Sequence, residues 1–408
     1  MTDLSVVEAR LVDGGEQRRQ VLTRDEWAQF ATMSSPPLIA LWGDTRAVYA
    51  LLRQPDAPLL VSTLVEDGEY AALSPMRPLA AWFERMVHDL WGHTAVGGTD
   101  LRAWLDHGRW GHSPPMAMRP GPPGTAEPPE FGFAANLDQV MLGPVRGGIE
   151  PAAHLRLGTC GGVVEQLEIW LGYTHKGVLA LMHGKSPRAA ARFAARLVGE
   201  TTVAHSIAFA RATEDAIACD IPPRARALRE VMAGLERILW RLDVGSAIAE
   251  AADQPSSLTA RSAEALRRAA NAAFGHRLMM DCVVPGGVAA DIAPSGAETI
   301  ERALHELDRS EIGDDVQRLR AAVMQLPGGD VMVPLGVASG EGLGHASGPA
   351  GDIWHWLSLD HGQIASVFMC DPGWARWPLL AAHMPGSQID DLPHTLASFG
   401  LSSSGVDL

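Results

Sequence analysis

Residues 222–242 read PPRARALREVMAGLERILWRL. A proline opens a helix without penalty, because the first N–H groups of a helix have no intrahelical partner. Leu228, Val231, Met232, Leu235, Ile238, Leu239 and Leu242 then recur at helical spacing, so one face is apolar and needs burial. Long helices are also predicted over 258–279 and 296–326, and a helical region over 187–217. Together they predict a helical bundle as the core of the C-terminal part of the chain.

Working back from this bundle, strands are predicted near 154–158 and 163–171. Before them, SPPMAMRPGPPGTAEPPE (113–130) is too dense in Pro and Gly to supply ladder or helix hydrogen bonds and reads as an extended linker. The predicted domains are therefore 1–125, with the linker at 113–130, and 131–408. In the first, LIALWG (38–43) and LLVSTLV (59–65) read as strands, and Thr45 to Arg53 as a short helix between them. Leu79, Trp82, Phe83, Met86, Val87, Leu90 and Trp91 form one helical stripe. The expected fold class is α+β: a small α/β domain followed by a mainly helical one. At the far end, IWHWLSLDHGQIASVFM reads as a hairpin turning at Asp360 to Gly362.

Composition narrows the function. A formal net charge of −15 argues against nucleic acid as a partner, since phosphate contacts need clustered Lys and Arg. No apolar run approaches the roughly 18 residues of a membrane span, and MTDLSVVEARLVDGGE lacks a signal-peptide pattern. The expectation is a cytoplasmic protein that reaches a membrane by docking on partners. Cys160, Cys219, Cys282 and Cys370 are scattered with no Cys-x-x-Cys pair, which argues against a cluster or structural zinc held by this chain. His88, His93, His107 and His112 are not spaced to share one helical face, so no metal site is expected there. No Gly-x-Ser-x-Gly elbow, P-loop or strand-following Gly-x-Gly-x-x-Gly is present.

Five strings in order resemble one superfamily. WFERMVHDLWGHTAVGGTDLRAW is similar to a segment of the complex I C-type subunit. LGYTHKGV, IPPRARALREVMAGLERI and FGHRLMMDCVVPGGVAAD resemble elements of the hydrogenase and complex I D-type large subunits. CDPGWARWPLLAAHMPGSQIDDLPHTLASFGLSSSGVDL resembles the end of the formate hydrogenlyase type. The resemblance covers roughly residues 30–408. It implies a C/D-fusion subunit that docks on an iron–sulfur small subunit and on antiporter-like membrane subunits, peripheral to the inner membrane through them.

The same resemblance locates what has been lost. A nickel–iron enzyme reads R-I-C-G-I-C-S-x-S-H-S where this chain reads RLVGETTVAHS, so Val198 and Thr201 stand at thiolate positions. The second pair falls on Ser402 and Gly405 in SFGLSSSG. Nickel needs soft thiolate ligands, so no nickel is expected and the chain is not expected to be catalytic on its own. The complex I branch binds a quinone in the vacated space, but its tyrosine falls on Gly199 and a loop histidine on Arg146. A quinone therefore stays an open ligand and no prosthetic group is assigned to the chain. Candidate cavity residues are His154, near the place of the second loop histidine of that branch, and His175, Glu200, His205 and Arg224. A bland reading stands beside three of these: His175 as a histidine satisfying backbone carbonyls, Arg224 as an exposed helix-start residue, Glu200 as a solvated side chain rather than a proton relay. Trp354, Trp356, Trp374 and Trp377 read as core, or as partner anchors. The competing function is a structural scaffold with a dead cavity. Polar residues converging there would favour coupling, and apolar filling would favour the scaffold. The tail SFGLSSSGVDL is expected to run into the bundle, bringing 402–405 to 198–201, with Leu396, Phe399 and Leu401 buried.

Overall fold

The computed structural model describes residues 19–125, 130–133, 136–145, 151–252, 254, 257–305, 307 and 312–408. Arg146 and part of the Pro-rich stretch lie outside these residues. The chain is α+β and divides into two compact units, one of 1–158, 166–175 and 407, the other of 159–165, 176–406 and 408.

The first unit contains β1 (Arg19–Leu22), α1 (Arg24–Ala31), β2 (Leu38–Gly43), β3 (Ala47–Leu52), β4 (Leu59–Leu64), β5 (Glu69–Ala71), α2 (Ala80–Trp91) and β6 (Thr94–Val96). A four-stranded sheet runs β1-β4-β3-β2, with β1 parallel to β4 and the other pairs antiparallel. The short helix expected at 45–53 is instead β3. All six residues of AVYALL are buried, which a strand covered on both faces permits and a surface helix does not. Thr23 and Glu26 cap α1 reciprocally, and Gly92 ends α2 in the left-handed region that favours glycine.

Buried carboxylates on α2 then organise the following loop. Asp89 accepts from the N–H groups of Trp104 (2.6 Å) and Leu105 (2.7 Å), and Glu84 from Leu73 (2.6 Å) and Ser74 (3.0 Å). Arg85 donates to the Arg102 and Ala103 carbonyls. The described part of the Pro-rich stretch is not a free linker, because Met116 N–H donates to Leu90 O and Gly121 N–H to Ser113 O.

The division expected at 113–130 also differs from the compact units. The sheet β7 (Asp138–Leu142), β8 (His154–Cys160) and β9 (Val163–Trp170), in that spatial order, belongs to the first unit apart from the hairpin tip at 159–165. The cause is visible in contacts on the far side of the Pro-rich stretch: Arg102 is ion-paired to Glu168, and Arg85 lies over the Trp170 ring at 4.9 Å.

The second unit carries α3 (Val178–Met182), α4 (Pro187–Ala194), α5 (Thr202–Ala216), α6 (Pro223–Ala251), α7 (Ser257–Phe274), β10 (Val283–Val284), β11 (Gly287–Val288), α8 (Gly296–His305), α9 (Gly313–Met324), β12 (Gly340–Gly348), β13 (Gly351–Asp360), β14 (Gln363–Cys370), α10 (Gly373–His383), α11 (Leu392–Phe399) and α12 (Ser404–Asp407). The apolar stripe of α6 is buried as its spacing predicts. The helical region at 187–217 is broken by a 3-10 turn at Gly199–Thr201, and 296–326 holds two helices, α8 and α9. The hairpin turning at 360–362 forms, and β12 adds a third strand to it.

That third strand explains how α5 becomes central. Every residue of α5 except Arg211 and Asp215 is buried. A β-carbon on Gly342 would lie 1.8 Å from Ala212 O, and one on Gly344 would lie 2.0 Å from Ala208 O. Glycines at period two on the strand face alanines at period four on the helix, so the two backbones touch. Trp356, Trp374 and Trp377 are buried in this unit and Trp354 is half-buried.

Candidate functional site: a buried polar cluster at the start of helix α5

The 3-10 turn delivers the chain into α5 with its first N–H groups facing inward. Glu236, on the buried face of α6, accepts from Val203 N–H (2.5 Å) and Ala204 N–H (3.0 Å). This satisfies two donors that a helix start leaves open, and places a carboxylate at the positive end of the helix dipole. Full burial outweighs those bonds and pushes the Glu236 carboxyl up to about 8.

One residue further along α5, His205 is fully buried. Its Nδ1 lies 2.9 Å from His355 Nε2 on β13, and its Nε2 lies 3.0 Å from Asp371 Oδ2, just beyond β14. Asp371 Oδ1 accepts from Gly373 N–H (2.6 Å) at the start of α10. Burial first, and then His205, hold the His355 imidazole well below the usual histidine range. With Asp371 accepting, the tautomers follow: His205 donates from Nε2 and accepts at Nδ1 from His355 Nε2–H. His355 Nδ1 is then left as a buried lone pair, with no hydrogen-bond partner among the described residues. Moving each proton one place along the line reverses its polarity, so the three side chains can pass a proton between His355 Nδ1 and Asp371.

The positions read as former nickel ligands fall in the same unit. Val198 and Thr201 are buried, as is Gly405, and Ser402 is half-buried. Lys176 Nζ donates to Leu197 O (2.6 Å) and to Ser404 O (3.4 Å), so one ammonium holds the chain beside Val198 and the chain beside Gly405. The residues do not fit a thiolate-bound metal. Val198 and Gly405 have no ligating atom, and a β-carbon at 405 would sit 2.2 Å from Asp371 Cγ. No group of three or more His, Cys, Asp or Glu side chains among the described residues is arranged to hold a metal ion.

Of the candidate cavity residues, only His205 enters the cluster. Glu200 is exposed on the 3-10 turn; the buried carboxylates here are Glu236 and Asp371. Arg224 makes a two-pronged pair with Asp291 (2.8 Å each) and donates to Pro327 O, which pins the start of α6. His154 and His175 belong to the first unit. His154 Nδ1 is 3.4 Å from Tyr173 Oη, and burial, with Arg156 nearby, lowers its pKa. His175 Nδ1 is 2.6 Å from Asp407 O, and its ring lies 5.1 Å from Trp110. The tail is buried through Ser403, Gly405, Val406 and Leu408, whereas Leu396, Phe399 and Leu401 are only half-buried. The serines anchor it through backbone carbonyls, as in Trp377 Nε1–H to Ser402 O at 3.1 Å.

Residues 176–239, which carry Glu236, His205 and Val198, match the nickel-dependent hydrogenase family. The chain is 26% identical over 208 residues to hydrogenase-4 component G of Escherichia coli K12, covering 47% of this chain and 38% of that protein. It is 29% identical over 183 residues to formate hydrogenlyase subunit 5 of the same organism, covering 42% and 32%. With the D-type NADH-quinone oxidoreductase subunit of Anaplasma marginale it shares 31% identity over 152 residues, 36% and 38% of the two chains. These matches thus span well under half of each relative. A chain of the membrane-bound sulfane sulfur reductase, an archaeal respiratory membrane complex, shares the fold: TM-score 0.59 and 14% identity, over 68% of this chain and 100% of that one. No helix among the described residues is long and apolar enough to cross a membrane. In sequence the chain thus resembles the large subunits of formate hydrogenlyase-type nickel–iron hydrogenases and of NADH-quinone oxidoreductase, and in fold it resembles a chain of an archaeal respiratory membrane complex.

Proposed function

We propose that the chain is a nickel-free C/D-fusion subunit of a membrane-associated redox complex. On this reading the first unit is the C-type part and the second the D-type part. The chain docks on an iron–sulfur small subunit and on antiporter-like membrane subunits, and it is peripheral to the inner membrane through them. The clusters belong to the small subunit, and a quinone is the ligand to test. The relatives' membership of such complexes supports the assembly.

The observation that favours coupling over a dead scaffold is the convergence of His205, His355 and Asp371 in the unit that carries the family match. Buried polar groups are costly, and a scaffold would be served as well by apolar filling. A chain tagged at its chromosomal locus, extracted from membranes in mild detergent, brings down an iron–sulfur protein and multi-span membrane proteins in stoichiometric amounts. Recovery of the chain alone from the soluble fraction overturns the reading. In the assembled complex, His355→Gln lowers redox turnover; unchanged turnover favours the scaffold.

A further inference from the structure

Residues 403 and 405–408 are buried, and Gly405 is the tightest point of that segment. The backbone of Gly405 is not in the left-handed region, so a side chain is excluded there by space and not by conformation. The space is taken by Asp371. A β-carbon at 405 would lie 2.2 Å from Asp371 Cγ, 2.4 Å from its Cβ and 2.6 Å from Oδ1. These are backbone-near atoms of a buried residue, not the free end of a flexible chain. The same carboxylate is fixed from two other directions, by Gly373 N–H at 2.6 Å and by His205 Nε2 at 3.0 Å.

We infer that Asp371 is the group on which the 402–408 segment seats against the helical core, and that Gly405 is required because only a residue without a β-carbon admits that carboxylate. Three segments far apart in sequence meet on this one side chain: the first turn of α5 through His205, the start of α10 through Gly373, and the tail through Gly405. Gly405→Cys would not by itself recreate a thiolate site, because its Cβ has no room while Asp371 is present. Naming 405 a former ligand position rests on the proposed function; the clasp itself rests on the contacts alone and is tested on the isolated full-length chain.

The experiment is a double-mutant cycle of Gly405→Ala and Asp371→Gly, which also removes the Cβ that a β-carbon at 405 would meet at 2.4 Å, read by thermal unfolding and by hydrogen exchange of the 402–408 amides. Gly405→Ala alone lowers the midpoint and strips protection from the tail. Asp371→Gly alone also loosens the tail, because the side chain that Gly405 packs against is gone. The double variant recovers most of what Gly405→Ala loses and behaves like Asp371→Gly. If Gly405→Ala fails to fold, the double variant decides: with the clasp as inferred, it folds. Additive effects, a tolerated Gly405→Ala, or full tail protection in Asp371→Gly would each overturn the inference. Failure to find membrane partners in the co-purification leaves this cycle unaffected, so the two ideas fail separately.

Discussion

The two ends of helix α5 bury glutamates in opposite ways. Near its C-terminal end, Glu214 receives a two-pronged pair from Arg229, at 2.6 and 2.9 Å, and also accepts from Gly286 N–H at 2.8 Å. Arg229 in turn donates to the Val284 and Gly287 carbonyls. The charge is matched and its lone pairs are filled, so this end is a weld between α5, α6 and the small β10–β11 ribbon. At the N-terminal end, Glu236 meets backbone N–H groups and no bonded cation among the described residues, and its carboxyl is pushed up to about 8. His205 is the next residue after Ala204, and His355 and Asp371 bond to it from β13 and from just beyond β14. One end is electrostatically closed, and the other can take up or release a proton near neutrality. The adaptable chemistry thus lies at the N-terminal end of α5.

The largest effect is expected from unmatching the weld. Arg229→Met leaves Glu214 buried and uncompensated, and should cost about 3–5 kcal/mol in urea unfolding. A loss below about 1 kcal/mol would show that the pair is not a weld. The opposite end is tested by pH. Because the folded pKa of Glu236 lies above its unfolded value, its contribution is fully present below the unfolded pKa and is lost as pH rises through the folded one. Between pH 4.5 and 7 that amounts to roughly 3 kcal/mol, each tenfold change in proton affinity being worth about 1.4 kcal/mol. Glu236→Gln should flatten this slope and make the protein more stable than wild type at about pH 8, as urea midpoints across the range will show. An unchanged slope would mean that the carboxylate is ionised in place.

Smaller effects follow at the cluster and at the surface. His205→Ala removes a partner from both His355 and Asp371 and should cost about 1–3 kcal/mol, the usual consequence of stranding buried polar groups. Arg224→Ala breaks a pair whose Asp291 partner is substantially exposed. It should cost no more than about 1 kcal/mol in the same unfolding assay, which separates a fastening from a site residue.

How much of this was legible follows from the range of the interactions. Helix α6, strands β2, β4, β8 and β9 and the β13–β14 hairpin rest on local periodicity and were readable. Strand β3 was not, because a short apolar run buried on both faces has no alternation to mark it. Strand β12 was hidden because its glycines act through contact with Ala208 and Ala212, more than a hundred residues away. The cluster suffers most from distance: His205, His355 and Asp371 come from α5, β13 and the turn after β14. Glu236 and Arg229 did leave a signal. They sit with Ala225 and Met232 at three- and four-residue steps on the buried side of α6, and charged residues on such a stripe mark a paired or titrating group. Glu200 lies between two positions that the resemblance aligns with nickel ligands, yet on the 3-10 turn its side chain is exposed.

The proposed function is that of a nickel-free subunit, and the space at Gly405 is filled by Asp371. The most direct test is the nickel-to-chain ratio of the native complex, purified from nickel-supplemented cells and measured by elemental analysis. The expected result is no stoichiometric nickel on this chain, with iron present only in proportion to the partner's clusters. One nickel per chain would contradict it.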